Sequence, residues 1–224
     1  MVIAVKGENL VYYKRGSGKP FTKKEDAANE RLDKDTGRRR DAPCCRVVSR
    51  RLFLRREGGG VMGDRLRVYC ETTFWSWLVA KPSTNPDHAV KQAYTRKWWE
   101  ECAPLCDIYV SDYVAEEASS GDPDQVSLRV AEISRHDSLF ADDPRVRSLA
   151  MELLRTHAVP EKEVTDAFHI ATAAVYGMDI LLTYNCRHMA NLATLPKTAS
   201  VIALAGYECP KILTPEKALE VQYV

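Results

Sequence analysis

Thr165-Asp-Ala-Phe-His-Ile-Ala-Thr-Ala-Ala-Val-Tyr-Gly177, followed directly by Met178-Asp-Ile-Leu-Leu-Thr-Tyr-Asn185, decides the fold. Between Ala167 and Val175 only His169 and Thr172 are polar, so this stretch reads as a helix buried over most of its circumference, with Gly177 as its stop. The apolar run that follows reads as a strand ending on Thr183 and Asn185. One carboxylate, Asp166, interrupts the apolar helix. A buried carboxylate is costly unless it is paired or bound to a metal, which makes Asp166 the first functional candidate. An Asp in the first turn of a helix can also serve as a cap or dipole partner, and His169 can be a hydrogen-bonded core histidine.

Working outward, the same alternation of short strands and helices extends over most of the chain. Leu66–Glu71 alternates with the strand period, and Thr72–Ala80 reads as a helix capped by a Thr hydroxyl and stopped near Pro82. A helix over 86–102, a strand over 107–111, a helix holding Glu116 and Glu117, and helices near 124–134 and 144–157 precede the helix over 160–176. A strand over 179–184, a polar loop over 185–191, a helix near 198–205, a strand over 211–214 and a last helix from Pro215 follow. Such alternation predicts an α/β fold with a parallel sheet covered on both faces.

The chain has 224 residues, of which 45% are hydrophobic, enough for a substantial core. Its start lacks the apolar run of a secretion signal, and no stretch approaches the roughly 20 apolar residues that span a bilayer, so the expectation is a cytoplasmic protein without membrane contact. Of the seven cysteines, Cys44 and Cys45 are adjacent, Cys102 and Cys106 are four apart, and Cys70, Cys186 and Cys209 stand alone. Without a C-x-x-C pair they read as reduced structural thiols.

The near-neutral total charge conceals two unlike segments. Residues 1–67 hold 18 Lys and Arg against 9 Asp and Glu, which leaves 14 against 22 for residues 68–224. Residues 1–61 show no sustained helical or strand period; Gly16–Pro20, the mixed charges of 23–41, Arg38-Arg-Arg40 and Gly58-Gly-Gly60 have the composition of a poorly ordered basic extension. Val47–Leu54 is a weak candidate for a short element. The alternative is a basic arm that binds RNA phosphates. A further reading concerns the start: codons for Glu57–Gly60 can contain GGAGG shortly before an ATG, which makes Met62 a second candidate initiator. The domains expected are therefore 1–61, extension, and 62–224, folded.

Ligands of open parallel sheets collect at the carboxyl ends of the strands. Glu71 with Thr72, Glu116 with Glu117, and Thr183 with Asn185 all arrive there, and Asp166 can project to the same edge. Converging carboxylates repel one another unless a cation joins them, and hard oxygen ligands suit Mg2+ or Mn2+. Such a site can activate water for in-line displacement at a phosphodiester. No G-x-x-x-x-G-K-[ST] loop is present, which argues against a P-loop nucleotidase.

The segments TDAFHIATAAVYGMDILLTYNCRHMAN, VYCETTFWSWL and VSDYVAEEAS together resemble the PIN domain, in particular the VapC-type ribonuclease toxins, over residues 66–221. The resemblance implies a three-layer α/β/α sandwich around a parallel sheet, Mg2+ or Mn2+, and cleavage of single-stranded or looped RNA. It places the family's four acidic positions on Glu71, Glu117, Asp166 and Asn185 as catalytic and metal-binding residues, with Glu117 favoured over Glu116 by its register from Ser111. Thr183, Arg187 and His188 become candidates for substrate contact. Two positions depart from the common pattern, Glu71 for Asp and Asn185 for Asp, so the site carries one negative charge fewer. The implied function is a metal-dependent endoribonuclease, the toxin of a type II toxin–antitoxin pair, with RNA as substrate, a small antitoxin as partner and a homodimer as its state. The alternative is a PIN-fold module with a weakened site that binds RNA or a protein partner; a phosphohydrolase using the same cation chemistry is a third. Trp75, Trp77, Trp98 and Trp99 read as core or interface aromatics ahead of base-stacking platforms.

Overall fold

A computed structural model describes residues 2–6, 9–13 and 65–221. Met1–Gly59 and Gly60–Val224 form separate compact units. In the first, β1 (Val2–Lys6) and β2 (Asn9–Tyr13) pair antiparallel, with Val2 opposite Tyr13 and Lys6 opposite Asn9. The sequence reading expected no strand in this segment. Val2, Ile3, Val5, Val11, Tyr12 and Tyr13 are β-branched or aromatic, and a two-residue connection fixes hairpin register without any need for an alternating pattern. The basic runs, Val47–Leu54 and Met62 lie outside the described residues.

The second unit is α/β. Its strands are β3 (Leu66–Cys70), β4 (Cys106–Ser111), β5 (Asp137–Leu139), β6 (Ile180–Leu182) and β7 (Lys211–Leu213). They form one sheet in the order β5-β4-β3-β6-β7, parallel throughout. The helices are α1 (Thr72–Val79), α2 (Pro86–Glu101), α3 (Asp112–Ala118), α4 (Pro123–Ile133), α5 (Pro144–Arg155), α6 (Val164–Val175), α7 (Leu195–Leu204) and α8 (Pro215–Ala218). They pack as two groups, α1 with α2, α3 and α4, and α5 with α6 and α7, which is compatible with a three-layer sandwich.

Local sequence dictates many of these boundaries. Asn85-Pro86, Asp122-Pro123, Asp143-Pro144 and Thr214-Pro215 each place a capping side chain ahead of a proline, and in each case the cap accepts a backbone N–H of the first turn. Gly177 ends α6 region with φ of 65°, the left-handed conformation that a glycine adopts without strain. Helix α1 differs from expectation: Glu71 stands at the N-cap without a side-chain cap, and Thr72 and Thr73, already inside the first turn, donate their hydroxyls to the carboxylates of Glu117 and Glu71.

The central strands are buried on both faces. Val68, Tyr69 and Cys70 of β3 and Ile180, Leu181 and Leu182 of β6 are at most 1% exposed. Against them α6 buries a continuous run from Ala167 to Ala174, Phe168 and Ile170 included; each such large side chain contributes about 2 kcal/mol of burial. The chain leaves β3 toward β4 on one side and returns through β6 on the other, so β3 and β6 flank a topological switch point. Glu71 N–H continues that seam by donating to Leu182 O at 3.0 Å.

Cys70 and Cys106 are buried free thiols, Cys186 and Cys209 are free as well, and Cys102 is buried. Among the described residues no helix is long and apolar enough to cross a membrane.

Candidate functional site

Glu71 follows β3 and Thr183 follows β6, so the switch point brings both to one spot. Glu71 is only 5% exposed. Its Oε2 accepts from Thr73 Oγ1 at 2.6 Å and from Thr183 Oγ1 at 2.9 Å. Burial pushes its carboxyl above the ordinary range, with the charge of His169 and these hydroxyls pulling the other way. Thr183, fully buried, accepts the Asn185 N–H at 2.9 Å while donating to Glu71, and so ties the carboxylate to the loop after β6.

Glu117 comes from the last turn of α3. Its Oε2 accepts from Thr72 Oγ1 at 2.5 Å and lies 2.9 Å from His169 Nε2. Burial opposes its charge, but the His169 hydrogen bond and charge and the Thr72 hydroxyl outweigh burial and lower its pKa. Glu116 and Glu117 are both exposed, and of the two it is Glu117 whose carboxylate meets Thr72 and His169.

His169 holds the centre. It is 1% exposed, and its Nδ1 lies 2.7 Å from the Tyr69 hydroxyl, which in turn lies 2.7 Å from Ser111 Oγ. With a neutral imidazole, Tyr69 donates to Nδ1 and Nε2–H donates to Glu117, so one proton arrangement satisfies the whole line. Burial works against a charged His169, yet Glu117, Glu71 and Asp166 together raise its pKa. The buried-histidine reading is therefore right about its burial and incomplete about its partners. Tyr69 lies 100 positions earlier in sequence, and nothing near His169 announces it.

Asp166 sits one helical turn before His169 on the same side of α6. Its Oδ2 accepts from Asn185 Nδ2 at 2.8 Å and lies 3.1 Å from His188 Nδ1. Glu163 Oε2 is 3.6 Å from the same His188 nitrogen. Burial raises the Asp166 carboxyl, countered by Asn185 and the two histidines. Asn185 Oδ1, read from the sequence as a neutral metal ligand, accepts the His188 backbone N–H at 3.1 Å, so the amide orients Asp166 and shapes its own loop. His188 is half-buried in the site, whereas the Arg187 side chain is exposed.

The four expected ligands are thus divided between two groups, Glu71 and Glu117 in one and Asp166 in the other, with Asn185 donating to Asp166. In one, ligand atoms of Glu71, Glu117 and His169 lie within 4.8 Å of one another; in the other, those of Glu163, Asp166 and His188 do. Opposite ligands of a Mg2+ ion bound at roughly 2.1 Å are about 4.2 Å apart, so either group fits a cation after small side-chain adjustments. The mixed oxygen and imidazole donors suit Mn2+ as well as Mg2+. Among the described residues no Lys or Arg forms an ion pair with Glu71, Glu117 or Asp166; the ring nitrogens that lie beside Glu117 and Asp166 belong to His169 and His188. Thr72 stands at this edge beside Glu71, where the sequence places it, whereas Thr73, Tyr69, Ser111 and Glu163 join the site without a signal that singles them out.

A separate cleft lined by Trp99, Pro104, Asp107, Tyr109, His136 and Asp137 lies at the amino ends of β4 and β5, the opposite end of the sheet from these carboxylates. In comparison with known proteins, no family profile matches this chain and no curated protein matches it significantly.

Proposed function

We propose that this protein is a Mg2+- or Mn2+-dependent endoribonuclease of the PIN type, acting as the toxin of a type II toxin–antitoxin pair and restrained by a small antitoxin. One observation carries the reading: Glu71 and Glu117 beside the His169 imidazole, and Asp166 one helical turn before His169, stand at the carboxyl end of the β3–β6 switch point, with no Lys or Arg ion pair to any of the three carboxylates among the described residues. Anionic groups held this close favour a cation. Glu71 and Glu117 would hold it from one side and Asp166 from the neighbouring group. A divalent cation there supplies a Lewis acid for the phosphodiester and a bound water of lowered pKa.

The chain's own residues do the positioning. Thr73 and Thr183 hold one oxygen of Glu71, while Thr72 and His169 hold one oxygen of Glu117. Asn185 and His188 fix Asp166. Such support keeps ligands in place before the ion arrives, which is what precise positioning of a scissile phosphate requires.

Incubation of the purified protein with single-stranded and hairpin RNAs, with Mn2+, with Mg2+ and with EDTA, tests the reading. Cleavage that depends on the metal and disappears in Asp166→Asn is the expected result. Cleavage persisting in EDTA would reject it. A second reading, a binding module that does not cut, draws on the engagement of Asn185 Oδ1 by the loop, which leaves the site short of one oxygen donor. RNA binding without metal-dependent cleavage would favour it.

A further inference from the structure

The four tryptophans do not have equal roles. Trp75 and Trp98 are fully buried, and Trp99 packs against Trp75 and His136. Trp77 stands apart. It lies one turn after Thr73 on the same side of α1, and Thr73 is the residue whose hydroxyl donates to Glu71 and accepts the Tyr184 N–H at 2.8 Å. Its indole is half-buried, with the exposed His88 ring edge-on at 5.1 Å and Tyr184 edge-on at 6.1 Å. The Lys91 ammonium lies 5.3 Å from the Trp77 ring centroid and 5.7 Å from that of Tyr184.

Such a cluster has a specific chemistry. A partly open indole stacks on any flat π-face, and a lysine ammonium on a flexible stem can leave the ring to pair with a phosphate. Trp77 lies one helical turn from Thr73, whose hydroxyl holds Glu71, and Lys91 reaches the same place from α2 over the rings of Trp77 and of Tyr184, whose N–H Thr73 also accepts. Base stacking and phosphate pairing are therefore offered side by side, next to the proposed reacting centre. We propose that Trp77 and Lys91 form a subsite for one unpaired nucleotide of the RNA strand, adjacent to the nucleotide held at the metal. The inference rests on the nuclease reading for its substrate class, and it adds the residues that select an unstacked base. A base inside a duplex offers no free face to Trp77, so paired RNA is excluded at this step.

Binding is measured with a short 2′-O-methyl oligonucleotide, which resists cleavage, as a single strand and as a duplex, in Mn2+ at several salt concentrations. Trp77→Ala is expected to weaken single-strand binding by about tenfold, as loss of one stacked base does, while Mn2+ affinity measured by calorimetry stays unchanged. Trp77→Phe restores most of the loss, and Lys91→Ala reduces the slope of log affinity against log salt by about 0.7. Since Lys91 is only half-buried on α2, that variant keeps the test alive should Trp77→Ala fold poorly. Single-strand binding unaffected by both variants, or duplex binding equal to single-strand binding, overturns the subsite and leaves the patch to a protein partner. The two readings fail separately: wild-type cleavage with binding insensitive to Trp77 sinks the subsite alone, and Trp77-dependent binding without cleavage sinks the nuclease alone.

Discussion

At the residue scale, the site is organised by opposed pKa shifts around His169. Burial raises Glu71 and Asp166, His169 is raised by its three carboxylate neighbours against its burial, and Glu117 is lowered by His169 against its own. The signs determine how pH acts. A raised His169 contributes stability that is fully present below its unfolded pKa of about 6.5 and is lost as pH rises through its folded value. Raised Glu71 and Asp166 act in the same direction, because the folded state favours their protonated forms, and that advantage fades as pH rises through their folded values. Glu117 has the opposite sign: its contribution is present above about 4.3 and lost as pH falls through its lowered value. Cations compete with protons for the same oxygens, so a bound ion restores at high pH what deprotonation removes. The increase in Tm caused by Mn2+ is therefore expected to be larger at about pH 8 than at about pH 5; equal increases would contradict a site built on these groups. Asp166→Asn keeps the shape and removes a charge. We expect it to fold normally, to lose most of the Mn2+-induced Tm increase and to abolish RNA cleavage. Asn185→Asp places a second carboxylate beside Asp166, where wild type has an amide donor; the metal-free variant should be less stable and should gain more from Mn2+ than wild type does.

At the element scale, α3 is the helix that delivers Glu117 to the site, and Ser111 caps its first turn. Ser111 accepts the Val114 N–H at 3.3 Å as the N-cap of α3, and the same oxygen meets the Tyr69 hydroxyl. Ser111→Ala removes both contacts. The cap alone is worth about 1 kcal/mol, which corresponds to a Tm decrease of about 3 °C in a domain of this size. If α3 positions Glu117, Mn2+ affinity should fall together with stability, and Ser111→Thr should retain both; a Tm loss with unchanged Mn2+ affinity would separate the helix from the site. Elements also show what can be read without coordinates. Every strand of the parallel sheet except β5 is legible, because an apolar run between turn residues is a local signal. Asp137-Ser-Leu139 has no such run and becomes a strand only by pairing with Tyr109–Ser111 of β4. The same limit governs the site. Glu71, Glu117 and Asp166 are conspicuous as carboxylates at strand ends or in an apolar helix, whereas Tyr69 and Ser111 look like ordinary strand residues until the fold sets them against His169. The Thr hydroxyl expected to cap α1 does not do so, because Thr72 is already the first helical residue and Glu71 stands at the cap position; its hydroxyl donates to the carboxylate of Glu117 instead.

At the scale of the whole molecule, the described site is built wholly from residues between Tyr69 and His188, all within the unit Gly60–Val224. The excess of basic residues belongs to the other part of the chain, where residues 1–67 hold 18 Lys and Arg against 9 Asp and Glu. Among the described residues, the parallel sheet has β3 and β6 buried on both faces under α5, α6 and the helices around α1. We expect a chain beginning at Met62 to unfold within about 3 °C of the full chain, a difference on the order of 1 kcal/mol, and to bind Mn2+ with equal affinity. RNA binding is the sensitive measurement. Each phosphate contact contributes a slope of about −0.7 in log affinity against log salt for a single strand, so a basic arm that touches several phosphates steepens the salt dependence of the full chain by that amount per contact. Identical salt slopes for the two chains would assign RNA recognition to the folded unit alone, with Lys91 among its cations. A steeper slope for the full chain, with unchanged stability, would make residues 1–61 an electrostatic arm. A large loss of Tm on truncation would instead show that the folded unit depends on the segment before Met62.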